Sequence, residues 1–265
     1  MKKTIISISQ SPLLRATFRG LKFHKLYNHW LYQHPRIRKM PGSNVLYRSR
    51  RTESVSLAFE MLEGGSTYDT QFLPQNYQTF CDLGCNVGYF PCMLAVNTPK
   101  PLKGIMIDAN PEVVEEARWH VKTNQWNDVH VYHGIVGEKS KNAGQAEFYV
   151  HEANTLSRKT LLEGNRKNDF KKITAPIVSV SEEWKKNFAD ERCNVLKVDI
   201  EGAELIFFQQ ETEFLKLVDV IFVECHQSHV PFEDMKNYLV SKGFNLLFVE
   251  EKSGKFEDIF SVFKR

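Results

Sequence analysis

The stretch Phe80-Cys81-Asp82-Leu83-Gly84-Cys85-Asn86-Val87-Gly88-Tyr89-Phe90 runs from an apolar strand into a glycine turn and then into a helix. Such a turn leaves backbone N–H groups facing outward at a helix N-terminus, where an anionic or zwitterionic ligand can sit. Gly84 and Gly88 are expected to keep Cβ atoms out of that ligand's way. Asp82 puts a carboxylate beside the turn, which repels a pyrophosphate and attracts a cationic head. The spacing Asp-x-Gly-x-Asn-x-Gly is not the Gly-x-Gly-x-x-Gly of dinucleotide loops. Asp82, Gly84, Asn86, Gly88 and Tyr89 are therefore candidate ligand contacts.

Outward from this turn, strands and helices alternate. Residues 79–83, 104–108 and 129–133 read as strands, separated by helices over 88–97 and 111–125. Pro111 suits the first turn of the second helix. Residues 145–151 alternate like a half-buried strand. Residues 152–174 are polar and read as a loop or mobile insert. A short strand over 177–180 leads to a helix capped by Ser181. Strands over 194–199 and 218–225 follow, with helices over 203–210 and 232–242. Residues 244–250 and 259–263 close the chain as a hairpin around Ser253-Gly254. Before the turn, residues 10–33 read as one or two helices, 45–47 as a short strand and 54–62 as a helix. This order implies a mostly parallel sheet covered on both faces. The final two strands have no helix between them, so one strand at that end is antiparallel. A dinucleotide-binding sheet would need another crossover helix there.

Ligands of open parallel sheets bind beyond the carboxyl ends of the strands. The second strand ends in Asp108, placed to accept hydrogen bonds from both hydroxyls of a ribose. Ala109, Gly134 and Ile135 are small or apolar, as suits an adenine slot. The fourth strand delivers Lys197, Asp199 and Glu201, spaced two apart and so on one face while the chain stays extended. Glu224 and His226 repeat that spacing on the next strand. His226, with an ordinary pKa of ~6.5, is the natural proton acceptor for a substrate hydroxyl. Asp199 or Glu224 could do the same if burial raised their pKa. Asp199, Glu224 and His226 could also hold a divalent metal ion, which the spacing permits without requiring. The bland alternative is that Lys197 only neutralises Glu224 or Glu201.

The composition, 42% hydrophobic and 25% charged over 265 residues, is that of a globular protein with room for one large α/β domain and an appendage. No apolar run approaches the ~18 residues that span a bilayer, and the N-terminus is too broken by polar residues for an export signal. The five cysteines show no metal-finger spacing and read as reduced, buried thiols of a cytoplasmic protein. The net charge of +3 hides an asymmetry: residues 1–50 hold eleven Lys or Arg and no acid, leaving 24 basic against 32 acidic residues elsewhere. We divide the chain into a basic, aromatic helical arm, 1–44, and a catalytic domain, 45–265. The arm suits docking on the acidic body, contact with an anionic partner or lying on a membrane surface, and could also make a homodimer contact.

The glycine turn, the Ile107-Asp108-Ala109-Asn110-Pro111 strand end, Leu196-Lys197-Val198-Asp199-Ile200-Glu201-Gly202-Ala203-Glu204 and Val223-Glu224-Cys225-His226 resemble the FkbM family of S-adenosylmethionine-dependent methyltransferases. The resemblance covers residues 45–250. It implies an α/β class I methyltransferase fold, a Rossmann-like sandwich with a mostly parallel seven-stranded sheet. It also implies S-adenosylmethionine as cofactor and, most often, O-methylation of a sugar or natural product. The family's usual Glu-Pro-x-Pro is Asp108-Ala109-Asn110-Pro111 here, which keeps the carboxylate. Pro91 replaces a more usual polar residue and is tolerable in a first helical turn.

Mechanistically, His226 or Asp199 would remove the hydroxyl proton and Lys197 would steady the developing alkoxide. Glu201 with the insert residues Asn154, Thr155, Ser157 and Arg158 would contact the substrate. N-methylation, a catalytically silent binding module and a nucleic-acid methyltransferase are the competing readings. The acidic body and the lack of a recognised nucleic-acid module disfavour the last.

Overall fold

The computed structural model describes residues 23–63, 68–137, 144–151, 157–158, 170–251 and 258–265. Much of the basic arm, Asn154, Thr155 and the Ser253-Gly254 turn lie outside them. The chain opens with helix α1 (Phe23–Gln33) and a hairpin of β1 (Arg36–Lys39) and β2 (Leu46–Ser49). That hairpin spans the expected boundary at residue 44, and β1 escaped the sequence reading. Helix α2 (Thr52–Ala58) runs on into a π-helical turn to Glu63.

The main sheet holds β3 (Thr79–Leu83), β4 (Lys103–Asp108), β5 (Asp128–His133), β10 (Cys193–Val198), β11 (Val218–Cys225), β12 (Asn245–Glu251) and β13 (Ile259–Lys264). Its order is β12-β13-β11-β10-β3-β4-β5. β13 alone runs antiparallel, between β11 and β12. The order reverses at β3, where the chain crosses over from β5 to β10, so the strand ends of β3, β4 and β10 border a switch-point crevice.

Period-two alternation splits these strands between two cores. Cys81, Leu83, Leu196, Val198, Ile221 and Val223 face one core. There they meet Trp184 of α5 (Val180–Phe188), Phe207 of α6 (Glu204–Gln210), Phe214 of α7 (Thr212–Leu215) and Met235 of α8 (Phe232–Ser241). Phe80, Met106, Val195, Val220 and Phe222 face the other core, with Phe90 of α3 (Tyr89–Val96) and Ala117 of α4 (Pro111–Thr123). Both faces are thus covered, as continuous apolar strands require.

A smaller sheet, ordered β6-β9-β7-β8, stands beside the main one: β6 (Ile135–Val136), β7 (Gln145–His151), β8 (Ser157–Arg158) and β9 (Phe170–Val178). Within the expected loop over 152–174, residues 157–158 and 170–174 are strand and the rest lies outside the described residues, while the short strand expected over 177–180 is the end of β9. Lys171 and Lys172 made the segment look solvated, yet one face of a two-sided strand can be polar. β9 pairs antiparallel with β7 over seven residues, Gln145↔Pro176 to His151↔Phe170. The cap of α5 also moves. Ser179 accepts from Glu182 N–H, while the Ser181 hydroxyl and N–H bind Glu211 instead.

The hairpin after α1 is tied to α4 by polar contacts. Arg48 and Arg50 pair with Glu116, and Arg51 with Glu112. Asn124 holds both the N–H and the C=O of Leu46. Arg48 N–H donates to His120 Nε2 at 2.9 Å, which leaves Nδ1 to donate to Val87 O at 2.9 Å. His120 is fully buried, and that burial lowers its pKa to about 4 despite these hydrogen bonds. It sits neutral behind the glycine turn. Among the described residues, no helix is long and apolar enough to cross a membrane.

Candidate active site

The glycine turn after β3 is held by backbone. Gly84 and Cys85 both donate to Ile107 O, at 2.9 and 3.0 Å. Gly84, Asn86 and Gly88 have φ values of +71°, +49° and +85°, which explains glycine at two of the three positions. The glycines do not act as the sequence suggested. A Cβ on Gly84 would lie 1.7 Å from the Asp199 carbonyl oxygen, and one on Gly88 would meet Met106 and Ala117. Their task is close approach of protein to protein: β10 against the turn, and α4 against α3.

Asp82 and Lys197 are opposite each other on β3 and β10. Asp82 is fully buried, with Lys197 Nζ 3.2 Å from its Oδ1. Lys197 Nζ also donates to Gly84 O at 2.9 Å and lies 3.6 Å from Asp199. Burial works against the ammonium charge, but Asp82, Tyr68 and Asp199 outweigh it and hold Lys197 charged. Burial pushes the Asp82 pKa up, and Lys197 offsets this only in part. Two expectations change here. Asp82 lies beneath the turn, where it meets a protein cation and not a ligand. Lys197, with its side chain 5% exposed, neutralises Asp82 and Asp199 from below and is shut off from an alkoxide.

A cavity of about 230 Å³ opens beyond the ends of β3, β4 and β10. Gly84, Asn86, Asp108, Ala109, Gly134, Ile135, Asp199 and Glu201 line it. Asp108 accepts Asn86 N–H on one oxygen and Asn110 N–H on the other, both at 2.8 Å. Burial raises its pKa to about 6 against those two hydrogen bonds, so it is ionised at neutral pH. Asn110 caps the helix that follows, accepting Glu112 N–H. Tyr89, by contrast, is turned away. It is buried in the α3 contact with β2, where its hydroxyl is 2.7 Å from Ser49 Oγ and donates to Arg48 O.

The small sheet supplies wall residues that sequence reasoning missed: Ala146, Glu147 and Phe148 of β7 and Ile177 of β9. Ile206, Phe207 and Gln210 of α6 complete the wall. The alternation over 145–151 announced a strand but not its neighbour. Ser157 and Arg158 form β8, at the edge of the small sheet farthest from β6.

His226 lies past the acidic end of the cavity. Its Nδ1 is 2.8 Å from Glu204 Oε1, and its Nε2 is 3.8 Å from Glu201 and 3.9 Å from Asp199. Glu204 is fully buried and also accepts the Ile200 and Gly202 N–H groups. It thereby fixes the left-handed turn at Glu201 and Gly202, whose φ values are +54° and +94°. Burial alone would lower the His226 pKa. The Glu204 hydrogen bond and the charges of Glu204, Asp199 and Glu201 reverse this and raise it to about 10. His226 is therefore an imidazolium at neutral pH, not the ready proton acceptor that its ordinary pKa suggested. Glu224 lies beside it, and Asp258, which the sequence reading passed over, completes a cluster.

The donor set fits S-adenosylmethionine. The ionised Asp108 faces the cavity and suits a ribose diol. Ala109, Ile135, Phe148 and Ile177 offer apolar walls to a planar base. Asp199 and Glu201 give a sulfonium and an ammonium a negative surround. No curated protein matches the sequence. Solved structures with a similar fold include Methanococcus jannaschii fibrillarin pre-rRNA processing protein, at 11% identity over 88% of this chain and 83% of that one (TM-score 0.46). Another is M. jannaschii TYW2 in complex with S-adenosylmethionine, at 14% identity over 87% and 86% (TM-score 0.43). A Streptococcus agalactiae protein of the NADB-Rossmann superfamily shares 12% identity over 74% of this chain (TM-score 0.42), and the chain spans 64% of that protein's length. These likenesses are too distant to carry a functional argument. The methyltransferase FkbM domain pattern, however, matches residues 52–246, and the chain belongs to the FkbM family of S-adenosylmethionine-dependent methyltransferases.

Proposed function

We propose that the protein methylates a hydroxyl group of a small molecule, a sugar or a natural product. The observation that carries this reading is the position of Asp199. Its side chain is on the cavity wall, between buried Lys197 at 3.6 Å and the His226 Nε2 at 3.9 Å. Bound S-adenosylmethionine supplies an electrophilic methyl group on a positively charged sulfur. Asp199 accepts the proton of the incoming hydroxyl. His226 carries the nearby positive charge that steadies the oxygen as the proton leaves, the role first given to Lys197. Asp108 holds the cofactor's ribose, and the main and small sheets together exclude water from the slot. Five buried, unpaired cysteines support a reducing compartment such as the cytoplasm.

The test is incubation with methyl-labelled S-adenosylmethionine and extracts of the source organism, followed by identification of the labelled product. The expected product is an O-methyl ether. Asp199→Asn should lower turnover by about 100-fold, at the lower end of base catalysis, while S-adenosylhomocysteine still binds. A labelled N-methyl product would replace the hydroxyl reading with amine methylation. Cofactor binding without product from any extract would favour a silent module.

A further inference from the structure

Three donor groups converge where β11 ends and β13 begins. Glu224, His226 and Asp258 each bring one ligand atom, and these atoms all lie within 4.8 Å of one another. The sheet register imposes this. β11 and β13 pair antiparallel, with Glu224 opposite Phe260 and Cys225 opposite Ile259, so the next step brings Asp258 opposite His226. Glu224 and His226 flank Cys225, whose side chain is buried in the core, and strand alternation puts Glu224 on the opposite face from it.

Two further observations point to a ligand. His226 Nδ1 is held by the fully buried Glu204 carboxylate at 2.8 Å. Nε2 faces Asp199 and Glu201, at 3.9 and 3.8 Å. A carboxylate behind an imidazole is the arrangement that orients a metal-ligating histidine. The second observation is Asp258 Oδ1, which is closed off from solvent and receives no hydrogen bond. A desolvated carboxylate oxygen without a donor is costly unless a cation faces it. Asp199 and Glu201 add negative charge within 3.9 Å of Nε2, and the neighbouring Lys197 is committed to Asp82 beneath the turn.

We propose that Glu224, His226 and Asp258 form a binding site for a divalent transition-metal cation, which displaces one ring proton of the His226 imidazolium and takes over its positive charge beside Asp199. One imidazole nitrogen and two carboxylates suit Mn²⁺, Fe²⁺ or Zn²⁺ better than the all-oxygen preferences of Ca²⁺ and Mg²⁺. All three residues are half-buried. The ion's place beside Asp199 is the acceptor end of the cavity, where it would acidify a coordinated hydroxyl. That last role rests on the hydroxyl reading above; the site itself does not.

The experiment is titration of chelator-treated full-length protein with Mn²⁺, followed by electron paramagnetic resonance of the free ion. S-adenosylhomocysteine binding is measured calorimetrically in the same samples. One saturable Mn²⁺ site is expected. Asp258→Asn and Glu204→Gln should each weaken it by about 10- to 100-fold, with S-adenosylhomocysteine affinity unchanged in Asp258→Asn even if Glu204→Gln fails to fold. Absence of saturable Mn²⁺ binding in protein that binds S-adenosylhomocysteine would overturn the site, as would an Asp258→Asn variant with undiminished Mn²⁺ affinity. Mg²⁺ binding as tight as Mn²⁺ would overturn the choice of metal class. Mn²⁺ binding without O-methyl product would sink the hydroxyl reading and leave the site standing.

Discussion

The two ends of the cavity are built from different materials. At the β3 and β4 end, backbone does most of the holding: Gly84 and Cys85 donate to Ile107 O, and Asp108 is fastened by two backbone N–H groups. At the β10 and β11 end, side chains do it, with Glu204, Asp199 and Glu201 gathered round His226. Two histidines record the contrast. His120, behind the first end, is kept neutral by burial, its pKa lowered to about 4. His226, at the second, is kept charged by carboxylates that overcome its burial, its pKa raised to about 10. A grip made of backbone suits a constant ligand, because it does not depend on side-chain identity. A grip made of charges brought from distant strands can be re-tailored residue by residue, as suits the acceptor.

Lys197 lies between the two ends and tests the division most severely. Lys197→Met leaves Asp82 buried and uncompensated, and should cost about 3–5 kcal/mol in denaturant unfolding. Unchanged stability with a selective loss of turnover would instead return Lys197 to the acceptor end as a catalytic group.

His120 gives the pH test. The folded state holds it neutral while the unfolded chain binds its proton near the ordinary value. Stability should therefore be lost as pH falls from 6.5 towards 4, by at most about 3 kcal/mol. Denaturant midpoints across that window should fall less steeply in His120→Gln than in the parent protein. Equal slopes would mean that His120 is not held neutral.

The smallest effect sharpens the first end alone. Asp108→Asn keeps one acceptor oxygen but removes the charge, and should weaken S-adenosylhomocysteine binding by about 10- to 100-fold, the worth of one charge-assisted hydrogen bond. Mn²⁺ binding should be unaffected. If Asp108→Asn disturbed both equally, the two ends would not be separable.

Much of this division was legible in the chain. The turn from Asp82 to Gly88 and the run from Lys197 to Glu204 are contiguous, so a strand, a left-handed turn and a helix start can be read in place. β11 was placed at its observed bounds because a continuous apolar run ends in polar residues there. The hairpin partner β1 and the long strand β9 were not legible. Arg36–Lys39 is exposed along its whole length and carries no hydrophobic period, while β9 alternates only over Ile173, Ala175 and Ile177 and has two exposed lysines near its start that its pairing with β7 holds in the strand.

The sequence by itself determined the order of the main-sheet strands and their helices, the single antiparallel strand and the polar strand ends, since these follow from local periodicity and from which residues can end a buried strand. The tertiary structure decided which polar groups meet. It buried Lys197 against Asp82, turned Tyr89 toward β2, brought Asp258 to His226 across a sheet register, and surrounded that histidine with enough carboxylate to hold its proton. Each of these depends on electrostatics and desolvation between residues far apart in the chain, where neither spacing nor residue type says which partner will arrive.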